Sequence, residues 1–450
     1  MLLDSTATYV SCNPSTGKVV YTQPHQNRET LYQQVNHLRF HQQKWQNLDT
    51  TERAAQLSDF AKALARKRNH LAKQVNQETG RLLGETQAEI DKSIQLIDYY
   101  TSIAPHLLAS KTVLTQATYS EVQFEPLGLV LAIMPWNYPI WQVLRFAIPA
   151  LLSGNACLIK PATCVAQSTQ ELLKIAQSVQ LAVLDIAWLD NTQIEEAIHS
   201  ADAVAFTGST LTGQHIASLA GRHLKKTVLE LGGSNPFIVL ADANVSQAAQ
   251  DACLSRFRDA GQSCNAAKRL IVVPEIASTF IHAFVDNASK LVWGSTLAPL
   301  AREDLRQKLH GQVQDAIKHG AKLLLGGTLP KGRGFFYPAT VIDSVNPNCR
   351  LYHEEVFGPV ASILRASSLK DAIRLANDTQ FGLGASIYTN NIDQGKIYAQ
   401  QIQAGSVFIN RYTSSDLRLP FGGIKSSGYG RELSAFGLYE FVNIKTYWQK

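Results

Sequence analysis

Apolar positions recur with two different periods along this chain, and the change of period divides it. Behind the turn Asn13-Pro14-Ser15-Thr16-Gly17, residues 18–22 read as a short strand, which predicts an opening hairpin. From about 29 to 87 the period is helical, with Leu57, Phe60, Ala61, Leu64 and Ala65 on one face and charges between them. A second helical run, about 88–107, turns Ile90, Ile94 and Ile97 to one side. Residues 112–124 alternate loosely, as an edge strand does, and are a candidate for pairing between subunits.

From 127 onward short apolar runs alternate with helical stretches. Residues 127–133 predict a buried strand, stopped by Pro135-Trp136-Asn137-Tyr138-Pro139. Then follow a helix at 140–152, a strand at 156–160 and a helix at about 166–178. A strand at 203–206 runs into Thr207-Gly208-Ser209 and a helix from about 211. This spacing means a parallel sheet with crossovers, and such sheets bind nucleotides at the carboxyl ends of their strands. The alternation resumes with a strand at 237–240, a helix at 245–257, a strand at 270–273 and a helix at 276–291. Further strands are expected near 323–325 and at 360–364. The fold class is therefore α/β, in more than one lobe. The last stretch, 432–450, carries Phe436, Leu438, Tyr439, Phe441, Tyr447 and Trp448, and so needs a partner surface in this chain or in another subunit.

Composition removes several classes of function. A chain of 450 residues is too long for one small core. Its 45% hydrophobic and 17% charged residues are ordinary for a soluble enzyme. The net charge of +6 is spread without a basic block, which argues against nucleic acid. The longest apolar run ends at Pro135, too short to span a bilayer, and no early segment has the build of a secretory signal. Six cysteines (Cys12, Cys157, Cys164, Cys253, Cys264, Cys349) show no framework spacing, which suits free thiols in a reducing cytoplasm. No Cys-x-x-Cys or spaced histidine pair suggests a metal.

Chemistry concentrates in Gly261-Gln262-Ser263-Cys264-Asn265, a glycine-led turn before a strand. Cys264 is either a structural cysteine, as buried free cysteines usually are, or a nucleophile toward carbonyl carbon. The adduct of a thiolate with an aldehyde carries an oxyanion, which the Asn137 amide and the Cys264 backbone N–H could hold. Asn137 could equally be a turn former. Glu230, in Leu229-Glu230-Leu231-Gly232-Gly233, is either a general base for water or a salt-bridged strand end. Lys160 could meet a ribose or a phosphate, or be solvated. Gly208 and Ser209 ahead of a helix resemble an anion cradle, a weak signal on its own.

In order, and across nearly the whole chain, these motifs resemble the aldehyde dehydrogenase superfamily. Leu158-Ile159-Lys160-Pro161, Phe206-Thr207-Gly208-Ser209, Glu354-Glu355-Val356-Phe357-Gly358-Pro359 and Pro420-Phe421-Gly422-Gly423-Ile424-Lys425-Ser426-Ser427-Gly428 complete the set. The resemblance implies a Rossmann-like cofactor lobe, an α/β catalytic lobe and a β-arm for oligomerisation. The dinucleotide-binding domain is expected at 1–111 and 127–229, and the catalytic domain at 230–412. The arm is expected at 112–126 and 432–450, with 413–431 returning to the cofactor lobe. It also implies a homodimer or homotetramer.

By this resemblance Cys264 attacks an aldehyde, Asn137 steadies the oxyanion, and Glu230 activates the water that hydrolyses the thioester. Trp136, Lys160, Thr163, Gly208, Ser209, Glu355 and Phe357 are the implied cofactor contacts. Lys160 belongs at the adenosine ribose, Ser209 near the pyrophosphate, and Glu355 with Phe357 at the nicotinamide ribose. Thr163 stands where many NAD-preferring members carry glutamate, so NADP is slightly favoured over NAD. Two stretches, between Lys160 and Thr207 and near Trp293, are shorter than the family pattern by roughly eight residues each.

The pattern is most similar to bacterial succinate-semialdehyde dehydrogenases. Arg145, eight residues after Asn137, Arg258, six before Cys264, and Ser415 occupy the positions that clasp the distal carboxylate there. An arginine fork matches two carboxylate oxygens; structural ion pairs are the other reading. The implied reaction converts succinate semialdehyde to succinate, in 4-aminobutyrate degradation. Alternatives are another short aldehyde, such as glutarate semialdehyde, or a catalytically impaired member of the fold.

Overall fold

A computed structural model describes residues 8–450. The first sheet has six strands. Their order is Gly428–Tyr429, Lys226–Glu230, Ala203–Thr207, Leu129–Ile133, Ala156–Lys160 and Leu184–Ile186. All neighbours are parallel except Gly428–Tyr429, which runs antiparallel to Lys226–Glu230. Every residue of Leu129–Ile133, Ala156–Lys160 and Ala203–Thr207 is buried, the reason these strands read as unbroken apolar runs.

The other sheet has seven strands, in the order Lys322–Leu325, Thr340–Asp343, Val360–Arg365, Ala267–Val272, Asn235–Val239, Gly384–Tyr388 and Ser406–Ile409. Only Lys322–Leu325, at the edge, is antiparallel to its neighbour. Each sheet has its own core. Leu131, Ile148 and Val204 belong to the first, and Ile238, Ile271 and Ile363 to the second.

The hairpin is present, as Thr8–Cys12 against Val19–Pro24. The helical stretch after it divides differently from expectation. It forms Arg28–Trp45 and Thr50–Thr79, and the next helix begins at Leu83, not near 88. Asp49 and Glu52 form a reciprocal capping box that restarts the chain. Gly80 then ends the second helix at φ 73°, where a Cβ would lie 2.5 Å from Pro299. Periodicity alone ran through both punctuation marks.

Residues 112–124 are not one strand. Lys111–Thr112 pairs with Tyr119–Pro126, which pairs in turn with Val442–Gln449. The apolar tail divides likewise. Leu438 and Phe441 are buried in the first core, with Phe441 edge-on to Phe146 at 5.3 Å. Ile444, Tyr447 and Trp448 stay exposed on the three-stranded sheet. Strands Leu184–Ile186, Thr340–Asp343, Gly384–Tyr388 and Ser406–Ile409 had no counterpart in the sequence reading.

Candidate active site

The chain crosses from the first sheet to the second between Glu230 and Asn235, the last residue of one strand and the first of another. Asn137 follows the carboxyl end of Leu129–Ile133, and Gly208-Ser209 follows Ala203–Thr207. Cys264 arrives from the opposite side, ahead of Ala267–Val272. The site thus forms where the two sheets face each other.

The loop carrying Cys264 is held under tension. Helix Val245–Phe257 ends, and Asp259, Ala260 and Gly261 follow at φ 54°, 53° and 68°. Only glycine fits at 261, because a Cβ there would lie 2.4 Å from the Gly358 carbonyl. For Asp259 and Ala260 this backbone costs roughly 1–2 kcal/mol each. A buried network offsets that cost. Arg81 Nε donates to Asp259 Oδ1 at 2.7 Å, and Tyr138 Oη to Oδ2 at 2.6 Å. Arg81 also pairs with Glu89, whose other oxygen accepts from the Ile140 and Trp141 amides at 2.9 and 3.0 Å. Further on, Asn137 Nδ2 donates to the Gln262 carbonyl at 3.0 Å, and Asn235 Nδ2 to the Cys264 carbonyl at 2.9 Å.

Cys264 lies in the wall between two cavities and lines both. One, of about 190 Å³, is bordered by Trp136, Asn137, Gly208, Ser209, Glu230, Glu355 and Phe357. The other, of about 290 Å³, is bordered by Lys92, Trp141, Arg145, Arg258, Arg411 and Ser415. Burial pushes the Cys264 thiol up to about 11; Arg145 and Lys268 pull it down, and Glu230 and Glu355 push it further up.

Glu230 is buried, and neither carboxylate oxygen has a hydrogen-bond partner among the described residues. Its pKa is raised well above the usual carboxylate range, first by burial and then by Glu432, while Arg145 and Arg431 oppose. A carboxyl in this state keeps its proton until water or a charge reaches it.

On the first cavity's side, the rings of Trp136 and Phe357 meet edge-on at 5.7 Å. Glu355 accepts from the Gly233 amide at 3.0 Å and pairs with the buried Lys268. Ser209 caps helix Thr210–Arg222 by accepting from the Thr212 amide at 3.3 Å. Lys160 and Thr163 lie outside this cavity, at the end of the neighbouring strand. Lys160 is buried with Nζ 5.5 Å from the Tyr9 ring, and burial lowers its pKa to about 8. Thr163 is exposed. Parallel strand ends, a helix N-terminus and a cavity ending at unpartnered Glu230 fit a dinucleotide reaching toward the thiol.

On the other side, Arg145, Arg258 and Ser415 come together around one cavity. None is idle. Arg145 faces Glu432 at 2.5 Å and stacks over Phe421 at 4.8 Å, and its Nε has no hydrogen-bond partner among the described residues. Arg258 meets Asp259 at 3.2 Å, and Ser415 Oγ accepts from Lys92 Nζ. Arg81, Glu89, Lys92, Lys268 and Glu432 were not singled out from sequence. Helical spacing could have found two of them: Glu85, Ala88, Glu89 and Lys92 recur at three and four residues and all line the cavity.

The sequence model of the aldehyde dehydrogenase family matches residues 3–447. The chain belongs to the aldehyde dehydrogenase family. Membership makes it an NAD(P)-dependent oxidoreductase. It is 40% identical over 450 residues to the Escherichia coli (strain K12) succinate semialdehyde dehydrogenase [NAD(P)+] Sad, covering 98% of this chain and 97% of that one. It is 38% identical over 448 residues to the Deinococcus radiodurans succinate-semialdehyde dehydrogenase [NADP(+)], covering 97% and 94%. The crystal structure of succinic semialdehyde dehydrogenase from Streptococcus pyogenes in complex with NADP+ superposes with a TM-score of 0.95 at 33% identity, covering 98% and 99%. Among the described residues no helix is long and apolar enough to cross a membrane. No group of three or more His, Cys, Asp or Glu there could hold a metal ion.

Proposed function

We propose that this aldehyde dehydrogenase oxidises succinate semialdehyde to succinate, with NADP+ slightly favoured over NAD+. The observation that carries the reading is the position of Cys264 between a cavity fit for a dinucleotide and one lined by Lys92, Arg145, Arg258 and Arg411. An aldehyde reaching Cys264 from the cationic side brings its distal end among those charges. A carboxylate there gains charge-assisted hydrogen bonds that an alkyl chain cannot.

The chain's own residues divide the work. Cys264 gives up its proton to solvent, and Sγ adds to the aldehyde carbon, forming the C–S bond as the C=O π bond opens. The carbonyl oxygen becomes an oxyanion, held by Asn137 Nδ2 and the Cys264 N–H. Trp136, Gly208, Ser209, Glu355 and Phe357 would hold NAD(P)+, with Lys160 and Thr163 at its adenosine end, and it would accept the hydride released when the adduct's C–H bond breaks and its C=O re-forms. A thioester on Cys264 results. Glu230 then takes a proton from water while the water oxygen attacks the thioester carbon. The C–S bond breaks, succinate leaves and Cys264 is free again. Arg145, Arg258 and Ser415 hold the distal carboxylate throughout.

The exposed Ile444, Tyr447 and Trp448 suit a second copy of the chain, so a homodimer or homotetramer is the proposed assembly. Six unpaired thiols suit a reducing cytoplasm. Initial rates with succinate semialdehyde, glutarate semialdehyde and propanal, each with NAD+ and NADP+, test the reading. A preference for succinate semialdehyde supports it. Equal rates on propanal reduce the activity to a general aldehyde oxidation.

A further inference from the structure

One cation of the cationic cavity has so far been given no contact of its own with the substrate. Lys92 lies on helix Leu83–Leu107, one turn after Glu89, and lines the same cavity as Cys264. Its Nζ sits 4.3 Å over the Trp141 ring and donates to Ser415 Oγ. Of Lys92, Arg145 and Arg258, it alone has no carboxylate ion-pair partner among the described residues. Arg145 already faces Glu432, and Arg258 faces Asp259. Arg411 also lines the cavity, but it is exposed on the late loop, whereas Lys92 is half-buried on a packed helix.

We propose that Lys92 is a further specificity-determining cation of this enzyme: with Ser415, and beside Arg145 and Arg258, it receives the carboxylate distal to the aldehyde group. A half-buried ammonium with one hydroxyl and one ring face for company keeps donors to spare. Its ammonium is already held between the Trp141 ring and Ser415, so little side-chain freedom is lost when an anion docks. The Ser415 hydroxyl it holds is one of the groups already assigned to the carboxylate, which places two donors side by side. The inference rests on the reading of the substrate as an ω-carboxy aldehyde.

The surroundings add a pH signature. Burial lowers the Lys92 pKa to about 8, helped by Arg145 on helix Pro139–Leu152 and Arg258 before Cys264; Asp416 and Cys264 oppose. Glu89, on its own helix, is committed to Arg81. An arriving carboxylate favours the charged form. Semialdehyde binding therefore weakens as pH rises through about 8, while binding of an uncharged aldehyde does not sense Lys92. Cys264 and Glu230 titrate for both substrates alike, so their contribution cancels in the ratio of the two kcat/KM values.

The test is steady-state kinetics of the full enzyme and its Lys92→Met and Lys92→Arg variants on succinate semialdehyde and propanal, from pH 7 to 9.5. Lys92→Met keeps an unbranched side chain at this position and removes the charge. The expected result is a KM for the semialdehyde raised about tenfold or more, with propanal constants moving less than about threefold. Lys92→Arg restores most of the semialdehyde preference, and the fall of the ratio above pH 8 disappears in Lys92→Met. As a readout apart from turnover, succinate protects Cys264 from alkylation in the parent enzyme and only at far higher concentration in Lys92→Met. A parent enzyme that prefers the semialdehyde, with Lys92→Met keeping that preference, overturns the role of Lys92 alone. Equal losses on both aldehydes make Lys92 structural and overturn it as well. A parent enzyme without the preference overturns both this inference and the substrate reading.

Discussion

The two cavities that meet at Cys264 are built in different ways. The first is made mostly from contiguous segments at strand ends, the Asn137 turn, Gly208-Ser209, Glu230-Leu231-Gly232 and Glu355 with Phe357, joined by Gln142, Leu305 and Lys308 from helices. Besides the thiol, its ionisable lining is Glu230, without a hydrogen-bond partner among the described residues, Glu355, paired with Lys268, and Lys308. The second draws its polar groups from distant parts of the chain: Lys92, Arg145, Arg258 and the loop carrying Arg411 and Ser415. Its cations Arg81, Lys92, Arg145, Arg258 and Arg411 outnumber the carboxyls Glu85, Glu89 and Asp259. The contrast separates two tasks. Fixed backbone geometry suits a cofactor common to the family, and scattered side chains suit discrimination among aldehydes, because each can change without disturbing a turn.

The comparison breaks first at the thiol shared by both cavities. Cys264→Ala should lower aldehyde oxidation by about 10⁴-fold or more while the thermal unfolding curve stays near that of the parent. Surviving activity would remove Cys264 from the chemistry. Next comes the carboxyl of the cofactor side. Glu230→Gln should slow thioester hydrolysis by about 10²–10⁴-fold, seen as a burst of reduced cofactor followed by a slow steady state.

The substrate side should respond more selectively. Arg258→Ala should raise the KM for succinate semialdehyde by about tenfold and leave propanal nearly untouched. Arg145→Ala should do more than that. Arg145 holds the Glu230 pKa down, and it faces Glu432, which pushes that pKa up. Removing the cation lifts the Glu230 pKa further, so the alkaline rise of hydrolysis shifts to higher pH for both aldehydes. A pH–rate profile unmoved in Arg145→Ala would uncouple the two cavities. The smallest expected effect lies farthest from the thiol. Thr163→Glu should raise the KM for NADP+ by several-fold to about tenfold through repulsion of the 2′-phosphate, with NAD+ little changed.

How legible each region was follows from the same contrast. The cofactor side was readable because its residues sit inside short motifs between a strand and a helix, where periodicity switches and glycine or proline marks the turn. The buried strands Leu129–Ile133 and Ala203–Thr207 were visible for the same reason. The strand Leu184–Ile186 was not, since three residues make no period. The break at Gly80 was signalled by a glycine, but the apolar spacing on either side hid it. On the substrate side Arg145, Arg258 and Ser415 were reached through resemblance, and Lys92 was missed. A lysine on a helix reads as solvated unless tertiary packing turns it inward, and the Ile90, Ile94 and Ile97 face drew attention away from it. The Arg81–Glu89–Asp259 network was equally hidden, because its members lie 8 and 178 residues apart.

The central claim is that one thiol, set between the two cavities, carries the substrate through a covalent intermediate. It is tested most directly by intact-protein and peptide mass spectrometry of Glu230→Gln after mixing with succinate semialdehyde and NADP+. The account predicts a succinyl thioester on the peptide containing Cys264, dependent on NADP+ and absent from Cys264→Ala. Reduced cofactor formed with no adduct on Cys264, or with an adduct on another cysteine, would contradict it.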